Sequence, residues 1–77
     1  MRLWFSRGSE ISIRDQLVTQ VVLRIVSGDL VAGQRLPSTR ELARRFHLHP
    51  NTVSSGYRQL ERQNWVEFRK GSGICSR

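Results

Sequence analysis

Residues 38–60 read STRELARRFHLHPNTVSSGYRQL, and two helix starts lie inside them. Ser38 and Glu41 have the spacing of a capping box, in which the serine oxygen takes the N–H three residues on, so a helix should begin at Ser38. Leu42, Ala43 and Phe46 give that helix an inner side, and Pro50 close ahead keeps it short. Pro50 suits the first position of the next helix, where a missing N–H costs nothing, and Val53, Tyr57 and Leu60 form its inner stripe. Only His47, Leu48 and His49 join the two. Small residues at Ala43 and Gly56 stand where these two crossing helices would need to approach closely. A short turn between two such helices is the helix-turn-helix arrangement, whose second helix enters the DNA major groove by its N-terminal end.

Working outward, Ser12 and Asp15 offer a second capping box. Behind it Ile13, Leu17, Val21 and Ile25 recur at helical steps, with Val18 and Val22 widening the stripe and Gly28 supplying the stop. Gly33 marks a turn, and Gln34-Arg35-Leu36 has the length of a very short strand. After Asn64 the period changes. Trp65 to Phe68 alternates, Arg69-Lys70-Gly71-Ser72-Gly73 has the composition of a turn, and Ile74-Cys75-Ser76 returns as the second strand of a hairpin. The expected fold is mainly α with a small β-hairpin: a winged helix-turn-helix of three helices and a two-stranded wing, over residues 11–77. Residues 1–10 form an N-terminal arm, in which Leu3-Trp4-Phe5 is a short strand or a packing segment.

The paired histidines first suggest a metal. His47, however, falls where such turns want a left-handed residue, and histidine is among the non-glycine residues enriched there. His49 precedes Pro50, which holds it extended at the N-cap of the third helix. Zinc needs three or four ligands, and Cys75 is the only other soft one. We expect no metal and no cofactor.

Charge supplies the partner. Thirteen Lys and Arg residues face six acids, a net +7 in 77 residues, and all but one of the thirteen are Arg, which forks onto phosphate. Asn51 and Thr52 in the first turn of the third helix, with Ser54 and Ser55 behind, can read base edges: Asn pairs with adenine N6 and N7, and Thr meets a base edge or a thymine methyl. The backbone N–H groups of that turn are candidates for a phosphate. On their own, Asn51 and Thr52 could simply cap the helix; beside so basic a chain, DNA contact is the better account. Arg40 on the second helix is placed to reach the backbone, with Arg44 and Arg45 following. Arg69, Lys70 and Gly71 at the wing can reach the minor groove or its phosphates.

Other classes fare less well. No apolar run approaches the ~20 residues of a membrane span, and no helix joins a wide apolar face to a basic one. A lone cysteine forms no internal disulfide and fits a reducing compartment, so a cytoplasmic protein is expected. An enzyme built on Cys75 or the histidines lacks partners nearby in sequence, and so small a domain has little room for a deep cleft. A winged-helix protein-interaction module remains the alternative; it requires an exposed apolar patch, for which Leu3-Trp4-Phe5 is the candidate.

LPSTRELARRF, HPNTVSSGYRQLE and WVEFRKGSG, in that order, closely resemble the DNA-binding domain of GntR-type bacterial transcription regulators, over residues Ile11 to Arg77. LPSTRELA, the PNTV helix start and the LWF-led approach are more similar to the YtrA-like and MocR-like branches. The resemblance implies an operator-binding winged helix acting as a homodimer on a palindrome, held together by a C-terminal segment outside these residues. In a YtrA-like parent that segment would be a short helical tail; in a MocR-like parent, a large aminotransferase-like domain with pyridoxal phosphate. Family contacts fall on Arg40, His49, Asn51, Thr52, Ser54, Lys70 and Gly71. Pro50 and Ser54 stand where arginines are frequent, and His47 replaces the usual turn glycine, so a target sequence does not carry over.

Overall fold

The computed structural model describes residues 3–71 and 73–77, so Ser72 of the expected wing turn lies outside the described residues. Helix α1 spans Ile13–Val26, α2 Thr39–Phe46 and α3 Pro50–Arg62, followed by strands β1, Val66–Arg69, and β2, Gly73–Ser76. The caps explain these boundaries. Ser12 Oγ accepts the Asp15 N–H and Ser38 Oγ the Glu41 N–H, each at 3.1 Å. Gly28 follows the end of α1 with φ +88°, a conformation that costs glycine little.

The core is shared by all the elements. Leu17, Val18 and Val21 of α1, Leu42 and Ala43 of α2, and Val53, Tyr57 and Leu60 of α3 are buried, and Leu3, Leu30, Leu36, Val66 and Ile74 complete the cluster. Gly56 does not serve the α2–α3 crossing as the sequence suggested. A Cβ built on it would lie 2.9 Å from Leu17 Cδ2 and 3.5 Å from the Arg14 carbonyl, so the close approach is between α3 and α1.

The wing is an antiparallel pair with Val66 opposite Ser76, Glu67 opposite Cys75, Phe68 opposite Ile74 and Arg69 opposite Gly73. The expected strand at Gln34–Leu36 is a single bridge, Arg35 to Cys75, on the other edge of β2. There the Leu36 N–H donates to the Ile74 carbonyl and the Ser76 N–H to the Gln34 carbonyl, both at 2.9 Å. Flanked on both edges, Ile74, Cys75 and Ser76 are all buried. The Ser76 hydroxyl donates to the Val31 carbonyl, which satisfies it. Along β1 only Val66 is buried; Phe68, on the same face but a step nearer the tip, is 49% exposed.

Among its described residues the N-terminal arm forms no assigned strand, and it is held by side chains. The Gln20 amide accepts the Trp4 N–H at 3.1 Å and donates to the Trp4 carbonyl at 2.6 Å. Gln16 treats Ser6 the same way, both at 2.8 Å, and also donates to the Ile11 carbonyl. Leu3 is buried, and Phe5 meets Phe46 edge to face at 5.0 Å, so the apolar triplet is divided: two of its side chains join the interior and Trp4 stays 66% exposed.

Candidate nucleic-acid interface

The turn between α2 and α3 fixes how the third helix is presented. His47 caps α2 at φ 55°, ψ 45°, the left-handed conformation its sequence position calls for. Its reversal lets the Leu48 N–H return to the Ala43 carbonyl at 2.9 Å. His49 is extended at φ −69°, ψ 132°, and its ring Nδ1 accepts the Asn51 N–H at 3.1 Å. An accepting Nδ1 places the neutral ring's proton on Nε2, so the donor His49 offers outward is Nε2–H.

That cap removes the phosphate site expected on the backbone of α3. Pro50 has no N–H, the Asn51 N–H goes to the His49 ring, and the Thr52 and Val53 N–H groups both go to the His49 carbonyl, at 3.0 and 3.3 Å. Every backbone donor of the first turn is absent or occupied, so side chains must hold any phosphate here.

Those side chains fall into three groups. His49, Asn51 and Thr52 line one open groove of about 580 Å³ between α3, the turn and the start of α1, together with Ser55, which the sequence had placed among the base-reading residues. Arg40 and Arg44 line a second, of about 630 Å³, that ends against Pro50 of α3. Arg69, Lys70 and Gly71 are at the exposed hairpin tip, where Gly71 takes φ +83°. Ser54, half-buried on α3, lines neither groove.

The arginines are not equivalent. Arg69 Nε donates to Glu67 Oε1 at 2.6 Å, so an acid on its own strand offsets part of its charge. Arg45 lies over the Phe46 ring, 5.6 Å from its centroid. Among the described residues Arg40, Arg44 and Lys70 make no ion pair, which leaves their charge for an outside anion. Sequence reasoning missed Arg7 and Arg14, which line the same groove as His49 and Asn51. Arg14, beside the recognised cap Ser12, could have been found from the sequence; Arg7, far away along the chain, carried no signal.

Tyr57 supports the platform from inside. Its hydroxyl donates to the Pro37 carbonyl at 2.6 Å, tying α3 to the residue before the α2 cap. Burial, and then the charge of Glu41, push the phenol well above its ordinary range, so it stays a donor. Among the described residues no group of three or more His, Cys, Asp or Glu side chains is placed to hold a metal ion, and no helix is long and apolar enough to cross a membrane. The apolar patch expected of an interaction module is not Leu3-Trp4-Phe5; Trp4 instead joins Ile11 and Leu23 along a shallow groove of about 480 Å³.

Residues 13–75 match the family model described as bacterial regulatory proteins, gntR family. The chain belongs to the GntR family. It is 40% identical over 58 residues to YhcF of Bacillus subtilis, described as an uncharacterized HTH-type transcriptional regulator, covering 75% of this chain and 48% of that protein. It is 38% identical over 65 residues to the HTH-type transcriptional repressor YtrA of the same organism, covering 84% and 50%. A solved structure described as a transcriptional antiterminator from Listeria monocytogenes superposes with a TM-score of 0.92 at 34% identity, covering 99% of this chain and 57% of that one. The GntR-family chain thus spans about half the length of the curated relatives it matches.

Proposed function

We propose that this GntR-family domain is the sequence-specific, double-stranded DNA-binding part of a cytoplasmic transcription regulator. The N-terminal end of α3 enters the major groove, with Asn51 and Thr52 facing base edges and His49 and Ser54 beside them. Arg40 and Arg44 hold the phosphate backbone from α2, and Arg69, Lys70 and Gly71 bring the wing onto the backbone or into the minor groove. One observation carries the assignment: an exposed Asn51 is held in the first turn of α3 by a left-handed His47 and a His49 cap, and Arg40 and Arg44, which make no ion pair among the described residues, line the groove that ends against Pro50. A single recognition helix reads few base pairs, so the working form is a homodimer on a palindromic operator, joined through a segment C-terminal to the wing.

Titration of random-sequence duplex DNA at several salt concentrations tests this. Log affinity should fall against log salt with a slope of roughly 0.9 per phosphate neutralised, and about four to six contacts are expected per domain. Affinity that does not change with salt would refute DNA binding.

A further inference from the structure

We propose that the N-terminal arm is part of the DNA interface, and that Arg7 holds a backbone phosphate beside the recognition helix. This rests on the DNA-binding assignment above and adds a contact outside the stretch that the family model matches, residues 13–75.

Arg7 is six residues before α1, yet its guanidinium reaches the helix-turn-helix turn. Nη2 donates to the Phe46 carbonyl at 2.9 Å and to the His47 carbonyl at 2.7 Å. Those two carbonyls close α2 and open the left-handed turn, so the contact places a positive charge at the negative end of the α2 dipole. Further contacts tie the arm in this position. Gln16 and Gln20 grip the Ser6 and Trp4 backbones on the preceding residues, and Phe5 is seated on Phe46.

A guanidinium has five N–H donors, and Nη2 supplies only two of them. Nε and Nη1 keep three, and Arg7 lines the groove that also contains His49, Asn51 and Thr52. Arg14 lines the same groove from the first turn of α1; its Nε donates to the Asp15 carboxylate at 3.3 Å, whereas among the described residues Arg7 pairs with no carboxylate. The first-turn backbone of α3 has no N–H to spare, as Pro50 and the His49 cap show. A phosphate passing the N-terminal end of α3 therefore depends on side-chain donors, and Arg7 is the cation tied to the turn on this flank. Its two carbonyl bonds limit the side-chain freedom that a loose surface arginine would lose on binding.

The test compares the wild-type chain with Arg7→Ala, Arg7→Gln and Arg7→Lys on one random-sequence duplex across a range of sodium chloride concentrations. Far-UV circular dichroism confirms that each chain is folded, and Arg7→Gln keeps an amide donor for the turn while removing the charge. The log–log salt slope should shrink by about 0.9 in both neutral variants, and Arg7→Lys should keep the wild-type slope. Wild-type slopes in Arg7→Ala and Arg7→Gln would overturn the phosphate contact. So would a loss in Arg7→Lys as large as in Arg7→Ala, since that would assign the effect to the grip on the turn. A wild-type chain with no salt slope would instead refute the DNA-binding assignment itself.

Discussion

Replacing His47 with glycine should leave the fold intact and raise its melting temperature slightly or not at all. His47 has φ 55° and ψ 45°, and its side chain is exposed. A left-handed non-glycine residue costs about 1–2 kcal/mol, with histidine at the lower end. Glycine removes that cost but adds about 0.4–1 kcal/mol of unfolded-chain entropy. The contacts that matter are made by the backbone, from the His47 carbonyl to Arg7 and from the Leu48 N–H to the Ala43 carbonyl, and both survive the change. The net gain is therefore between zero and about 1 kcal/mol, and for a domain of this size 1 kcal/mol moves the midpoint by roughly 4–8 °C. His47→Val is the complementary test, because a β-branched residue fits a left-handed turn badly. An added cost of about 1–2 kcal/mol should lower its midpoint by roughly 4–16 °C. Differential scanning calorimetry reads both. A glycine variant melting well below wild type, or a valine variant melting with it, would show that the turn does not hold the left-handed residue described.

Tyr57→Phe should cost about 1–3 kcal/mol, since it leaves the Pro37 carbonyl without its 2.6 Å donor. Because burial raises the Tyr57 pKa in the fold, the neutral phenol's contribution is present below the unfolded value near 10 and is lost as pH rises above it. Urea midpoints at about pH 8 and about pH 11 should accordingly fall more in wild type than in Tyr57→Phe. Gly56→Ala gains about 1 kcal/mol of helix propensity but presses on Leu17 Cδ2 at 2.9 Å, an overpacking cost of about 1–3 kcal/mol; chemical denaturation should show a net change between none and a loss of about 2 kcal/mol. Light scattering at micromolar concentration should find a monomer. A stable dimer would mean that these residues already hold an interface, for which the apolar groove of Trp4, Ile11 and Leu23 is the candidate, and would contradict dimerisation through a C-terminal segment.

The helix starts and the turn were legible because their causes are local. Ser12, Ser38, His49 and Pro50 act on donors within a few residues, and His47 was marked as left-handed by its place between two helices. The inner stripe of α3 was legible through its period. What escaped was decided at long range by single side chains with no period to reveal them. Gly56 is small for Leu17, 39 residues earlier in the chain and on a different helix from the one expected. Gln16 and Gln20 have an ordinary polar look on α1, yet they bind the arm's backbone, and Arg7 closes a turn 39 and 40 residues away. The phosphate site expected on the α3 backbone failed for a reason present in the sequence: the proline that starts the helix and the histidine that caps it leave that turn no free donor.

Asn51 decides the central claim most directly. Double-stranded oligonucleotides enriched by wild-type binding from a random pool supply a preferred site, and wild type and Asn51→Ala are then titrated on that site and on unselected duplex. If Asn51 reads a base edge, the variant loses on the order of 1–3 kcal/mol on the preferred site and almost nothing on unselected DNA. Equal losses on both would mean that Asn51 only helps to start α3, and recognition of sequence by this helix end would be contradicted.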